Sequence, residues 1–506
     1  YQMLAMEYFF LLELLRPFII WLVLAGAGFS ARARLKQTVL NWLPYLAAFG
    51  AAFIWRAFFF NFQTENYQMV FLEQLRQEPG AALVQLLANI GKSLYVVIIQ
   101  AWGVVFRLPD MAVLGRKTAI LTAAVTLAAL LLVSGYLVLW RRGLGDALNQ
   151  KSRWALDVVG LGLLALLLGG GPSWSIEVLP GLIFALDRFT LPFLLGVSLL
   201  LAGLLAWVPL HSWLRFALVG ILVSLAVSQH FQVSNAYRRE WQTQQRFFWQ
   251  LAWRIPELEP GTILLVNELP VRYYTDNSLT APLNWYWAGE NHTQAMSYLL
   301  YYPQQRLGKN LEALEPGVSV VVNYLAAQFE GSTSQVVALT YQPPACLRVL
   351  DPGVDFDNKM LPEEMQAAAL LSSTQWIGAD GMAAVDRLPA ILYGEEPPYG
   401  WCYYFAQAEL ARQQGEWDQV AALGEQAFAL GDYPNDPAER LVFIEGYAHT
   451  GAWERAEQLS AEVQGITPKM EPVLCRLWTR IAAETPASPE KDAAVERIFS
   501  ALSCTE

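Results

Sequence analysis

The chain has 506 residues, 55% of them hydrophobic and 16% charged, with 19 Trp. Ordinary soluble domains are nearer a quarter charged, so a single water-soluble globule is excluded and a membrane protein of more than one domain is expected. Residues 1–236 hold 16 Lys+Arg and 10 Asp+Glu, a net of +6, and the remainder hold 18 and 35, a net of −17; the acidic half lacks the basic footprint that nucleic acid requires.

The chain opens on Tyr1, and its first ten residues have neither a charged start nor a cleavage site. They do not read as a signal peptide, and the opening reads as that of a processed or incomplete chain. A membrane helix needs about 20 mostly apolar residues. Runs of this kind cover 17–29 with part of the helix before it, 38–60, 118–140, 154–170, 189–208 and 213–228. A seventh run, 81–105, is interrupted by Gln85, Asn89, Lys92 and Gln100, and is expected either to cross or to lie at the interface. Residues 1–236 are read as a membrane domain of six or seven apolar helices.

Basic loops mark the cytoplasmic side. "ARARLK" (31–36) and "RRGLGDALNQKSR" (141–153) share a side if 81–105 does not cross. The acidic half then lies on the extracytoplasmic side of a multi-pass plasma (inner) membrane. A crossing 81–105 would put it in the cytoplasm. In the first topology several charges share the outer level. Glu13 and Arg16 are three residues apart on one helical face, Arg56 is near the end of the second span, and Asp187 and Arg188 begin the 189–208 helix. Neighbours on a helix point about 100° apart, so Asp187 and Arg188 must look elsewhere for partners. Charges at this depth often mark functional sites. The plainer account is that the arginines snorkel to headgroups and that Asp187 caps a helix ahead of Pro192.

Residues 237–256 read as an amphipathic connecting helix with Trp241, Phe248, Leu251 and Ala252 on one stripe and Arg238, Arg239 and Arg246 available to headgroups. An α/β domain is expected over 257–396, with strands at "TILLV" (262–266), "VSVVVNYL" (318–325), "QVVALTY" (335–341) and "CLRVL" (346–350), and a helix at 362–371. Within it, "TDNSLTAPLNWYW" (275–287) is an aromatic and Asn-rich loop, suited to packing or to stacking on sugars. "DPGVDFDN" (351–358) holds a D-x-D, Asp355 and Asp357, which reads as a solvated loop or, less simply, a divalent-metal ligand pair. Cys346, Cys402, Cys475 and Cys504 lack the spacing of a zinc site and are read as disulfides or buried thiols. No motif calls for a cofactor, and a divalent metal stays open.

Residues 397–506 turn to Ala, Glu, Gln and Leu. Gly415-x-Trp417 recurs as Gly451-x-Trp453, 36 residues later, with Val420 and Ala456 three positions after each Trp and Tyr447 before the second copy. This resembles the tetratricopeptide repeat, a helix pair of about 34 residues. Helices at 471–484 and 490–502 would cap the pair of repeats. Such arrays hold a peptide or protein partner, and they also serve as packed caps. The expected fold is thus a polytopic α-helical membrane domain, a small α/β soluble domain and a C-terminal tetratricopeptide-like helical region.

"DRFTLP" (187–192), "EYFFLLELLRP" (7–17) and "WCYYFAQAELARQQGEW" (401–417) resemble stretches of the multi-spanning C-superfamily glycosyltransferases, mannosyltransferase-like members in an uncharacterised bacterial branch. The resemblance implies transfer of a sugar from a polyprenyl-phosphate carrier at the outer face of the membrane. That class places its catalytic carboxylate in the first outer loop, after the first span, so the resemblance implies either that N-terminal spans precede Tyr1 or that the scaffold has lost this chemistry. Glu7, Glu13 and Asp187 are the carboxylates placed for catalysis, and Arg16, Arg56 and Arg188 the cations placed for the carrier phosphate. The alternative function is a non-catalytic membrane scaffold that binds an envelope partner through its soluble domains.

Overall fold

The computed structural model describes residues 7–59, 70–107, 111–144, 154–183, 186–209, 211–271, 276–303, 311, 313–324, 327–378 and 388–504. The chain divides into two compact units, Tyr1–Arg238 and Arg239–Glu506.

Among the described residues, six helices are long and apolar enough to cross a membrane: Tyr8–Gly26, Pro79–Phe106, Gly115–Leu139, Trp154–Ser175 and Asp187–Trp207 in the first unit, and Trp213–Arg254, which begins in the first unit and ends in the second. Two differ from expectation. Pro79–Phe106 qualifies despite its polar residues. The helix Ala31–Ile54 is 24 residues long but is not among the six, because Gln37, Asn41 and Pro44 dilute it. It nevertheless packs antiparallel along the first helix. Arg34 lies over the Trp21 ring, Arg16 over Tyr45, and Phe10 meets Phe49 at 4.4 Å and Phe53 at 5.9 Å.

Trp154–Ser175 and Leu194–Trp207 approach backbone to backbone. A Cβ on Gly162 would sit 2.7 Å from the Leu200 amide nitrogen, on Gly169 2.6 Å from the Pro192 carbonyl oxygen, and on Gly196 2.7 Å from the Leu166 amide nitrogen. Among apolar helices small residues allow this approach, which dispersion then rewards. Trp174 closes one end, donating from Nε1 to Ser93 Oγ at 3.0 Å.

In the second unit, 237–256 is not a separate amphipathic helix. It is the end of a 43-residue helix, Ser212–Arg254, and every residue from 247 to 255 is buried. Phe247, Leu251, Ile255 and their neighbours fill the core beneath a sheet. That sheet has the order β3 (Leu299–Tyr301), β2 (Ile263–Val266), β6 (Val336–Thr340), β7 (Arg348–Val349), with β3 and β6 parallel to β2 and β7 antiparallel to β6. A hairpin of β4 (Ser319–Tyr324) and β5 (Ala327–Ser332) stands beside it, and β1 (Glu257–Leu258) pairs with β8 (Ile377–Gly378). Residues 276–287 form a helix rather than a loop. Asn284, one of its polar residues, is spent on structure: its amide donates to the Tyr298 carbonyl, and its Oδ1 accepts from the Ser297 and Tyr298 amides.

Three helix pairs complete the chain: Trp401–Gln414 with Trp417–Ala429, Leu441–His449 with Trp453–Ile466, and Glu471–Glu484 with Pro489–Leu502. The Gly-x-Trp repeat has a physical basis. Gly415 (φ 74°) and Gly451 (φ 80°) take the left-handed conformation that closes a helix, and the Trp two residues on opens the next one. All four cysteines are paired, Cys346 with Cys402 and Cys475 with Cys504.

Candidate functional site

Residues Glu7–Leu15 form a 3-10 helix that runs into Arg16–Gly26. With three residues per turn, side chains at i and i+3 eclipse, so Glu13 stands directly below Arg16. The two make a fork-to-fork pair. Arg16 Nε donates to Glu13 Oε1, and Nη2 donates to Oε2 at 2.8 Å. Glu13 is 7% exposed, while the Arg16 side chain keeps 41% exposure and its guanidinium lies 3.9 Å from the Tyr45 ring centroid. The pair lines a cleft of about 650 Å³ whose other walls include Ile19, Leu40, Pro44 and Leu195. A charged fork set in aliphatic walls suits a ligand with an anionic head and an apolar tail.

The other expected site residues divide. Asp187–Phe193 is also a 3-10 helix, and the Tyr8 ring meets the Phe189 ring edge-on at 5.0 Å. Asp187 and Arg188 are therefore carried on a segment beside the one that carries Glu13, though both side chains are exposed. Asp187 is not a cap: Leu186 holds that position and Asp187 lies in the first turn. Arg188 lies over Phe189 at 5.2 Å. Arg56, half-buried, follows Phe53 in the π-turn Trp55–Phe59, so its backbone is near Phe10. Glu7 begins the first 3-10 helix, but its side chain lies outside the described residues. The sequence reading overlooked Tyr45; its distance of 29 residues from Arg16 in the chain gave no signal short of the helix pairing itself.

Compared with family models, curated proteins and solved structures, the chain matches none. The assignment of chemistry therefore rests on its own side chains.

The D-x-D of the second unit is neither a solvated loop nor an open metal pair. Asp355 is buried at 1% exposure and accepts twice from Arg348 Nη1 at 2.7 Å, while Asp357 accepts from Arg476 Nε at 2.9 Å. Glu445, His449 and Glu484 bring three ligand atoms within 4.8 Å of one another, so the geometry could hold a metal ion. Both oxygens of Glu445, however, already accept from Arg480, at 2.8 and 3.0 Å. His449 stacks on Trp417 at 3.7 Å, and burial lowers its proton affinity, favouring the neutral imidazole.

Two carboxyls here set a pH dependence. Burial alone would raise the Asp351 pKa, but Arg412 and Arg480 outweigh it and hold it down at about 2. Glu439 goes the other way: burial pushes it up to about 7, against the amide of Cys346 and the indole of Trp401, both donating at 2.8 Å. A depressed folded pKa gives stability that is present above the ordinary value of 3.8 and lost as the pH falls toward 2. A raised acid pKa gives stability that is full below 4.5 and lost as the pH rises to about 7. From pH 5 to 7, stability is expected to fall by about 2 kcal/mol on account of Glu439. Thermal unfolding of the full chain across that range, beside Glu439→Gln, measures it: the variant should lose the slope, and an unchanged slope rejects the assignment.

Proposed function

We propose that the chain is a multi-pass envelope membrane protein that takes a polyprenyl-phosphate sugar into the Glu13–Arg16 cleft and transfers the sugar to an acceptor hydroxyl, as the C-superfamily glycosyltransferases do. The observation that carries this reading is the carboxylate–guanidinium fork bedded in aliphatic walls. Arg16 holds the carrier phosphate, and the walls take the first prenyl units. Glu13 accepts the acceptor's hydroxyl proton, the freed oxygen bonds to the anomeric carbon, and the bond from that carbon to the phosphate oxygen breaks. The leaving polyprenyl phosphate keeps the electron pair and stays against Arg16.

Parity supports a side of the membrane for this reading. Phe10 meets Phe53, Tyr8 meets Phe189, and a Cβ on Gly171 would meet Leu11. The end of Ala31–Ile54, the end of Trp154–Ser175 and the start of Asp187–Trp207 therefore share the level of Tyr8. With these ends on one face of the membrane, an even number of crossings is expected between residues 54 and 171, where the described residues hold three candidate helices. Pro79–Phe106, with four polar interruptions, is the one that returns to its own side. "ARARLK" and "RRGLGDALNQKSR" then share the cytoplasmic face, and the acidic unit is extracytoplasmic, where its two disulfides persist.

The test is transfer from a polyprenyl-phosphate hexose by full-length protein in vesicles. Glu13→Gln should lower the rate by about 100-fold or more while the carrier is still retained, and Arg16→Ala should lose both retention and transfer. Normal transfer by both variants would refute the reading.

A further inference from the structure

Glu445 and His449 stand four residues apart on Leu441–His449, so their side chains share one face of that helix. Glu484 is the last residue of Glu471–Glu484, as His449 is of its own helix. One ligand atom from each of the three lies within 4.8 Å of the other two. Two helix C-termini thus deliver these side chains to one place, and the negative end of a helix dipole favours a cation.

Acidic residues gather on many surfaces without a metal; the imidazole distinguishes this group. The His449 side chain is 8% exposed, and its Nε2 is buried with no hydrogen-bond partner among the described residues. A buried polar atom left in that state costs about 1–3 kcal/mol. Glu484 Oε2 stands 3.9 Å from it, beyond hydrogen-bond reach. Two atoms that share an ion at about 2.1 Å sit roughly 3–3.4 Å apart, so an inward swing of about 1 Å completes the set. Glu484, with a 51% exposed side chain, is the member able to swing.

Arg480 supports this arrangement. Its two bonds to Glu445 use two of the roughly four lone-pair positions of that carboxylate, and they hold it as hydrogen bonds hold a metal-bound carboxylate. Trp417, stacked on the imidazole at 3.7 Å, fixes the ring plane. Arg480 and Arg412 also donate to Asp351, at 2.7 and 3.0 Å. Asp351 and Glu445 together balance these two arginines, which leaves the charge of Glu484 to a cation.

We propose that Glu445, His449 and Glu484 bind a first-row divalent cation, Zn²⁺ above all, with water completing the shell. One imidazole and two carboxylates suit zinc, whereas Ca²⁺ and Mg²⁺ take six or more oxygen ligands. The three residues lie wholly in the second unit, and the site is independent of sugar transfer.

Full-length protein in detergent, stripped with EDTA and desalted, is titrated with Zn²⁺ by calorimetry. One equivalent should bind, and Glu484→Gln and His449→Asn should each weaken it by about 10-fold or more. Glu484→Gln changes a half-exposed side chain, so the fold is retained even if His449→Asn disturbs the Trp417 stack. Asp357→Asn removes a carboxylate elsewhere in the same acidic unit and should leave the affinity unchanged. No saturable uptake overturns the proposal, as does equal uptake by the Glu484→Gln variant. Equal weakening by Asp357→Asn overturns it too, since the ion would then be held by diffuse negative charge.

Discussion

Asp355→Ala is expected to destabilise the second unit by about 3–5 kcal/mol, the cost of leaving a buried charge uncompensated. Arg348 is 5% exposed, and its Nη1 donates to both Asp355 oxygens. Its Nε and Nη2 have no hydrogen-bond partner among the described residues. The same carboxylate accepts the Asp351 amide at 2.9 Å and the Asn358 amide group at 3.1 Å, so three donors, making four hydrogen bonds, lose their acceptor together. Asp357, two residues on, provides the control. Its partner Arg476 has a 53% exposed side chain, and a pair of that kind contributes at most about 1 kcal/mol. Thermal unfolding of the full chain in detergent should show Asp355→Ala lowered by roughly 10 °C and Asp357→Ala nearly unchanged. Equal midpoints for the two would mean that the Arg348 pair does not hold this unit together.

That contrast shows where sequence pattern stops. Asp355 and Asp357 are alike as a motif and differ only in burial, which depends on the Arg348 strand arriving from the other side of a turn. Strands with apolar runs were legible: 262–266, 318–325, 335–341 and 346–350 contain β2, β4, β6 and β7. β5, with sequence "AQFEGS", was not, because only Phe329 faces the core along its length. The Asn-rich 276–287 helix was hidden by Pro282 and by Thr280 and Asn284, whose side chains bond the chain at 298–300 as well as their own helix. The end of Ser212–Arg254 read as amphipathic because Arg238, Arg239 and Arg246 lie among the residues of the Trp241–Ala252 stripe, but the polar Gln250 and Arg254 show how little of its last turns is wet. Both are buried, Gln250 accepting from the Leu347 amide at 2.7 Å and Arg254 donating to Gln413 at 3.2 Å. In the candidate site the Glu13–Arg16 spacing was legible, since three residues suffice for contact on a helix of either pitch. The cleft around it was not, because Tyr45 and Leu195 come from distant helices.

Gly196→Leu is the largest change expected in the first unit. Gly162 and Gly169 are seven residues apart on Trp154–Ser175, and Gly196 and Gly203 are seven apart on the facing helix. Seven residues are nearly two turns, so each pair forms one smooth stripe, and the stripes face each other. A Cβ at 196 would meet the Leu166 amide nitrogen at 2.7 Å and the Gly162 carbonyl oxygen at 2.9 Å. These are backbone atoms, which no rotamer change can move aside, so the two helices must separate along their length. Overpacking ordinarily costs about 1–3 kcal/mol, and a whole side chain driven against backbone lies at or above the top of that range. Gly160 sits on the same helix with open space around its Cβ position, so Gly160→Leu should be tolerated. The separation would carry Leu195 and Phe189 away from the first helix, so Gly196→Leu should also open the cleft at Glu13 and Arg16. Heating in detergent followed by size exclusion, with Gly160→Leu alongside, tests the packing; if the two variants lose folded protein at the same temperature, the glycine stripes are not what brings these helices together.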